Sequence, residues 1–159
     1  MTHDFWGVRG AGCLIRAEAS GRLLVGLRSE EVNEPLTWGT WGGAVDPGEN
    51  PETAVRREVA EETGYEGALR LSHLHTYRHV SGFVYDTFLA EVPFEFDPVL
   101  GWETNEARWI KPGHWPRPLH FGLESVLLAN KELLGYQKRE ALVELISGLR
   151  RSALGRLYR

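Results

Sequence analysis

Glu58, Glu61 and Glu62 carry the most chemically specific spacing in this 159-residue chain. On a helix the three fall within an arc of about 100°, so their carboxylates crowd one face. Like charges at these separations repel, weakening a helix by roughly 0.2–0.5 kcal/mol per pair. A divalent cation reverses that sign, because hard Mg²⁺ prefers several carboxylate oxygens together with water. Arg57 precedes Glu58 and lies one turn before Glu61, where its planar fork can orient a carboxylate. Glu49 can accept from Arg57 or brace the preceding loop against the helix. Gly43 lets the backbone approach closely enough for its carbonyl to join a metal shell.

Read as one pattern, these residues are Gly43, five residues, Glu49, seven residues, Arg57-Glu58-Val59, one residue, Glu61-Glu62, one residue, Gly64-Tyr65. The pattern resembles the box of the Nudix hydrolase (MutT-like) family, with Tyr65 where an aliphatic residue is usual. Trp38-Gly39-Thr40-Trp41-Gly42-Gly43 resembles the strand that enters that box, with Trp41 where proline is common. The resemblance implies hydrolysis of a diphosphate linkage in a nucleoside diphosphate derivative, by water, with Mg²⁺ or Mn²⁺ as cofactor. It implies Glu58, Glu61, Glu62 and the Gly43 carbonyl as metal ligands, and Arg57 as the group positioning Glu58. Family members differ in where they keep the general base, so Glu58, Glu103 and Glu106 all stand as alternatives. Glu103 has the more usual spacing to Trp109. For the substrate, Arg28 at a strand end and Arg78 in a later hairpin are the candidate phosphate contacts, each read otherwise as a solvated charge. Tyr77, Phe83 and Tyr85 lie near where dinucleoside polyphosphate hydrolases carry a tyrosine, none of them at that place, and Tyr85 is taken as the substrate contact. The proline typical of ADP-ribose hydrolases is replaced by Val80, and the NADH pyrophosphatase and coenzyme A signatures are missing.

Positioning these residues requires a sheet and a well-ended helix. Ala11–Ala17 and Arg22–Arg28 are apolar runs around an Ala19-Ser20-Gly21 turn, predicting a hairpin. Asn50 followed by Pro51 predicts a helix start, and Gly64 its end. Leu69–Val80 and Phe83–Val92 flank Ser81-Gly82 as a second, longer hairpin. Ala107–Ile110 reads as a short strand, followed by helices over about Gly122–Leu134 and Arg139–Leu149. Strands that pair mostly antiparallel, with one inserted helix and others appended, give an α/β fold. The resemblance names it the Nudix fold, a mixed sheet between helices, here with an extra C-terminal helix. The chain reads as a single domain over 1–159.

Bulk composition narrows the remaining classes. No apolar run reaches the roughly 18 residues that cross a bilayer. Met1–Gly10 lacks the basic head and apolar run of a signal peptide. Cys13, the only cysteine, excludes an internal disulfide and suits a reducing compartment, so a cytoplasmic protein is expected. A formal charge of −4 argues against a stable nucleic-acid partner, although five arginines against two glutamates gather in 139–159. The partner expected is a small nucleotide, without a membrane. Family members are often dimers, which leaves a homodimer open. The six tryptophans offer stacking faces for a base. His73, His75, Tyr77 and His79 alternate, so one strand face carries all four, a weak zinc pattern without a carboxylate or thiol. Residues 115–121 read either as one wall of the pocket or as a rigid connector. An isopentenyl-diphosphate isomerase reading would need Cys13 in the pocket. A non-catalytic nucleotide-binding module would more commonly have lost carboxylates of the box.

Overall fold

The computed structural model describes residues 9–137. Trp6, the arginine-rich segment and the helix expected over 139–149 lie outside the described residues. The elements are β1 (Arg9–Ala17), β2 (Leu23–Arg28), β3 (Trp38–Gly39), β4 (Trp41–Ala44), α1 (Pro51–Thr63), β5 (Arg70–Arg78), β6 (Val84–Val92), β7 (Thr104–Ile110), α2 (Phe121–Ala129) and α3 (Lys131–Leu134).

The strands form one mixed sheet along the path β3-β2-β1-β6-β5, with β4 paired to β1 and β7 to β2. Both expected hairpins are present and antiparallel. Among the described strands, the parallel pairing joins β1 to β6, from Arg9↔Val84 to Ala17↔Val92. Because successive strand side chains point to opposite faces, β1 feeds two cores. Ala11, Cys13, Ile15 and Ala17 pack with Ala54, Val55 and Val59 of α1. Leu14 turns the other way and packs with Leu123, Val126 and Leu127 of α2. Burying each of these valines or leucines contributes roughly 1.5–3 kcal/mol. Helices therefore cover both faces of the sheet, as expected.

The ends of α1 follow from its sequence. Asn50 Oδ1 accepts from the Thr53 N–H at 2.9 Å, Pro51 opens the helix, and Gly64 closes it in the left-handed region at φ 72°. At the other end of the chain, the segment expected as one helix over 122–134 is two. Asn130 interrupts it at φ −130°, and its side chain donates to the carbonyls of Leu74 and Val126. An asparagine that bonds nearby backbone competes with the helix ladder, which explains the break. Among the described residues no helix is long and apolar enough to cross a membrane.

Candidate active site

The buried stripe of α1, Ala54, Val55, Val59 and Thr63, fixes where its acids point. Glu58 and Glu62 border that stripe and reach β4, whereas Glu61 is mostly solvated, its side chain 60% exposed. Gly43 makes room for Glu58, since a Cβ there would stand 2.5 Å from Glu58 Oε1. Glu62 Oε2 accepts from the Gly42 N–H at 2.8 Å. Gly42 itself, at φ 148°, has no space for a side chain: a Cβ would meet the Ala11 carbonyl at 2.3 Å.

Arg57 is the hub of this cluster. Its guanidinium donates to both oxygens of Glu49 (3.1 and 3.0 Å), to Glu58 Oε1 (2.9 Å), to Glu61 Oε2 (3.3 Å) and to the Ala44 carbonyl (2.9 Å). Glu49 Oε2 also accepts from the Asp46 N–H, so the loop before α1 is tied to the helix through one carboxylate. The Arg57 guanidinium holds the Glu49 carboxyl below the usual carboxylate range. Burial dominates at the two inner acids. It raises Glu58 against the pull of Arg57. It raises Glu62 to about 8 against the Gly42 hydrogen bond, with Glu58 and Glu103 adding repulsion. Glu103 approaches because the Ser29 N–H donates to its carbonyl at 2.8 Å, setting an exposed carboxylate beside the end of β2. Glu106 is exposed as well and pairs with Arg108.

Next to these acids, on the α2 side of the sheet, lies a cavity of about 150 Å³. Arg28, Gly42, Tyr77, Tyr85, His120 and Phe121 are among its walls. Tyr85 lies over β1, where Cβ atoms at Gly10 and Gly12 would overlap its ring and hydroxyl. Burial, and then the charge of Glu62, push its phenol up, so it remains a neutral hydroxyl at the boundary between cavity and acids.

The Nudix domain model matches residues 7–128, which contain every element described so far except α3 and the end of α2. The chain belongs to the Nudix hydrolase family. It is 31% identical over 114 residues to the CMP-5'-(N-acetyl-N-hydroxy-3-aminopropyl)phosphonate hydrolase of Streptomyces rubellomurinus, covering 69% of this chain and 55% of that protein. It is 33% identical over 108 residues to a putative 8-oxo-dGTP diphosphatase of Bacillus subtilis, covering 68% and 69%. The crystal structure of a MutT Nudix hydrolase from Burkholderia pseudomallei superposes with a TM-score of 0.64 at 30% identity, over 76% of this chain and 95% of that one.

Within this Nudix domain the expected site residues divide into groups. Gly43, Arg57, Glu58 and Glu62 are brought together, Glu61 joins them only through Arg57, and Glu103 stands close enough to act on Glu58 and Glu62 electrostatically. Arg28 and Tyr85 line the cavity. Arg78 does not, because it follows Tyr77 on β5, and alternation turns it outward to solvent. The Arg28 guanidinium is engaged by the Asn33 carbonyl, at 2.9 Å from Nε and 2.6 Å from Nη2, so it braces the loop 29–37.

Two further expectations are corrected. A bulge between His73 and His75 places them opposite Phe88 and Thr87, on different faces of the sheet. His73 joins Thr76, Asp86 and Arg9 on the α1 side, while His75 meets Ser125 of α2 across the cavity side. Among the described residues no group of three His, Cys, Asp or Glu side chains stands ready-made around a metal position. No tryptophan among the described residues lines the cavity, and Trp38 and Trp41 are core residues. The aromatic walls are Tyr77, Phe83, Tyr85 and Phe121, with His120, from the segment read as a wall or a connector. Glu34 on the rim had no sequence signal beyond sitting in a polar loop.

Proposed function

We propose that the protein hydrolyses a diphosphate linkage in a nucleoside diphosphate derivative, with Mg²⁺ or Mn²⁺ as its cofactor. The observation that carries this reading is the adjacency of two crowded carboxylates, Glu58 and Glu62, to an aromatic cavity that shares Gly42 and Tyr85 with them. The donor set fits a hard divalent cation in kind: it is made of oxygens, and burial plus mutual repulsion leave Glu58 and Glu62 short of positive charge. Glu58, Glu61, Glu62 and the Gly43 carbonyl would hold the metal. Bound there, it would supply phosphate-charge neutralisation and a more acidic water.

The chain's own groups have distinct parts. Arg57 holds Glu58 in place while Glu49 holds Arg57, so Glu58 is oriented through two links. Glu58 is one position for the general base. Glu103 is the other, being free in solvent beside the same acids. The aromatic cavity would exclude water from one side of the substrate and bind its base. Cys13 is fully buried, and burial pushes its thiol up, which removes it from the cavity chemistry an isomerase would need.

The test is phosphate or nucleotide release, with Mg²⁺, from a panel of nucleoside triphosphates, dinucleoside polyphosphates and nucleotide sugars. Glu62→Gln is expected to lower kcat by at least about 100-fold with the fold intact by circular dichroism. Equal activity of parent and variant would overturn the metal assignment.

A further inference from the structure

The cavity rim carries a pair of groups that the hydrolytic chemistry does not use. His120 caps α2, its Nδ1 accepting from the Gly122 N–H at 3.1 Å. A ring nitrogen that accepts carries no proton, so in the neutral ring the hydrogen sits on Nε2, and His120 presents a donor. Burial, then the neighbouring charge of Arg28, hold the ring below the ordinary histidine range and keep it neutral. Its backbone is also fixed, the N–H donating to the Trp38 carbonyl at 2.8 Å.

Facing Nε2 at 3.6 Å is Glu34 Oε2, beyond hydrogen-bond reach, so neither group is consumed by the other. Glu34 belongs to the loop 29–37 and is held by its surroundings. The Arg28 guanidinium grips the preceding Asn33 carbonyl, and Thr37 Oγ1 donates to Glu34's own carbonyl at 2.7 Å. Its φ of 50° is one that a glutamate adopts only when neighbours enforce it. A donor and a carboxylate are thus set side by side at the mouth of a cavity walled by Tyr77 and Phe121. A void near 150 Å³ takes one flat aromatic group, with the remainder of a ligand in the open mouth.

We propose that Glu34 and His120 read the edge of the substrate's base, and that the base they select is guanine. This rests on the reading of the site as a nucleotide hydrolase. His120 Nε2–H followed by two carboxylate oxygens is a donor-acceptor-acceptor row. Guanine presents its complement, an O6 acceptor followed by the N1–H and N2–H donors. Adenine offers one donor beside one acceptor and cytosine one donor beside two acceptors, so neither sets two adjacent donors against the carboxylate. Uracil sets a second carbonyl against the carboxylate, and hypoxanthine lacks only the N2 amine. Loss of one hydrogen bond to a charged acceptor weakens binding by about 10-fold.

Isothermal titration of the full chain with GMP, IMP and AMP tests this without depending on turnover. GMP is expected to bind at least about 10-fold tighter than IMP, and AMP more weakly than GMP. Glu34→Gln, on an exposed loop, offers only one acceptor and is expected to bring GMP and IMP within about 2-fold; Glu34→Ala does the same. The proposal is overturned if the parent binds GMP and IMP equally, if discrimination survives both variants, or if none of the three binds. Guanine preference without hydrolysis of any member of the substrate panel would sink the hydrolase reading and leave this one standing. Hydrolysis without base preference would do the reverse.

Discussion

Removing the Arg57 side chain is expected to cost the protein about 3 kcal/mol, far more than an ordinary surface arginine. The guanidinium serves Glu49 and Glu58, whose side chains are only 12% and 14% exposed, and it completes the Ala44 carbonyl. Deleting one member of a buried pair costs roughly 3–5 kcal/mol, because the partner charge stays behind without compensation. The leg to Glu61 adds little, since that carboxylate is mostly solvated and an exposed pair of this spacing contributes about 0.3–0.5 kcal/mol. Partial exposure of Arg57 itself brings the total to the low end, about 3 kcal/mol. The assay is urea unfolding of Arg57→Ala and Arg57→Lys in metal-free buffer, with Glu49→Ala and the Arg57/Glu49 double variant completing a cycle. Lysine carries the charge without the fork, so it should recover less than half of the loss. The cycle should show Arg57 and Glu49 coupled, the double variant losing less than the sum of the two single variants. A loss under about 1 kcal/mol, or full rescue by lysine, would refute the view that one planar group organises the acids.

Two other expectations follow from the same geometry. Gly43→Ala drives a methyl to 2.5 Å from Glu58 Oε1, so kcat should fall by about 100-fold with only a modest change in the urea midpoint. A variant within 3-fold of the parent would mean that Glu58 has freedom to move. For Asp86, burial pushes the carboxyl up, but hydrogen bonds from Thr76, Arg9 and His73 outweigh it and hold it below its ordinary 3.8. An acid whose folded pKa is depressed contributes stability above its unfolded value and loses it as pH falls through the folded one. Parent stability should therefore drop more steeply than that of Asp86→Asn as pH falls below about 4, measured by urea titration at stepped pH. Parallel curves would discount the Asp86 network.

How much of this was legible in the sequence depends on how local each cause is. The ends of α1 were, because Asn50, Pro51 and Gly64 act through their own backbone neighbourhoods. So was the contact of Glu49 with Arg57, eight residues apart across one loop. The two hairpins followed from the turns that force them, whereas the β1–β4, β2–β7 and parallel β1–β6 pairings join strands distant in sequence with no connecting turn to announce them. The histidine face was misread because a bulge between His73 and His75 inverts the alternation, and no residue type there announces it. Arg28 was expected at phosphate because the family resemblance places a phosphate-contacting arginine at that strand end, and it does line the cavity. Its engagement arises from the course of the following loop, which returns the Asn33 carbonyl to the guanidinium.

The same loop explains why the rim of the site escapes a reading by motifs. The box residues Gly43 to Gly64 are adjacent in sequence, and their types are narrowed by charge, by capping and by close backbone approach. The cavity has no such unity. Glu34 comes from the loop after β2, Tyr77 from β5, Tyr85 from β6 and His120 from the segment before α2, and only the sheet brings them together. Each of these residues has an ordinary sequence neighbourhood, so none looks functional from the sequence alone. If substrate choice resides there, chains sharing the box can diverge in substrate through a few rim positions while the acids and Arg57 stay unchanged. Exchanging rim residues should therefore alter which base is preferred, and exchanging box residues should alter the rate for all of them alike.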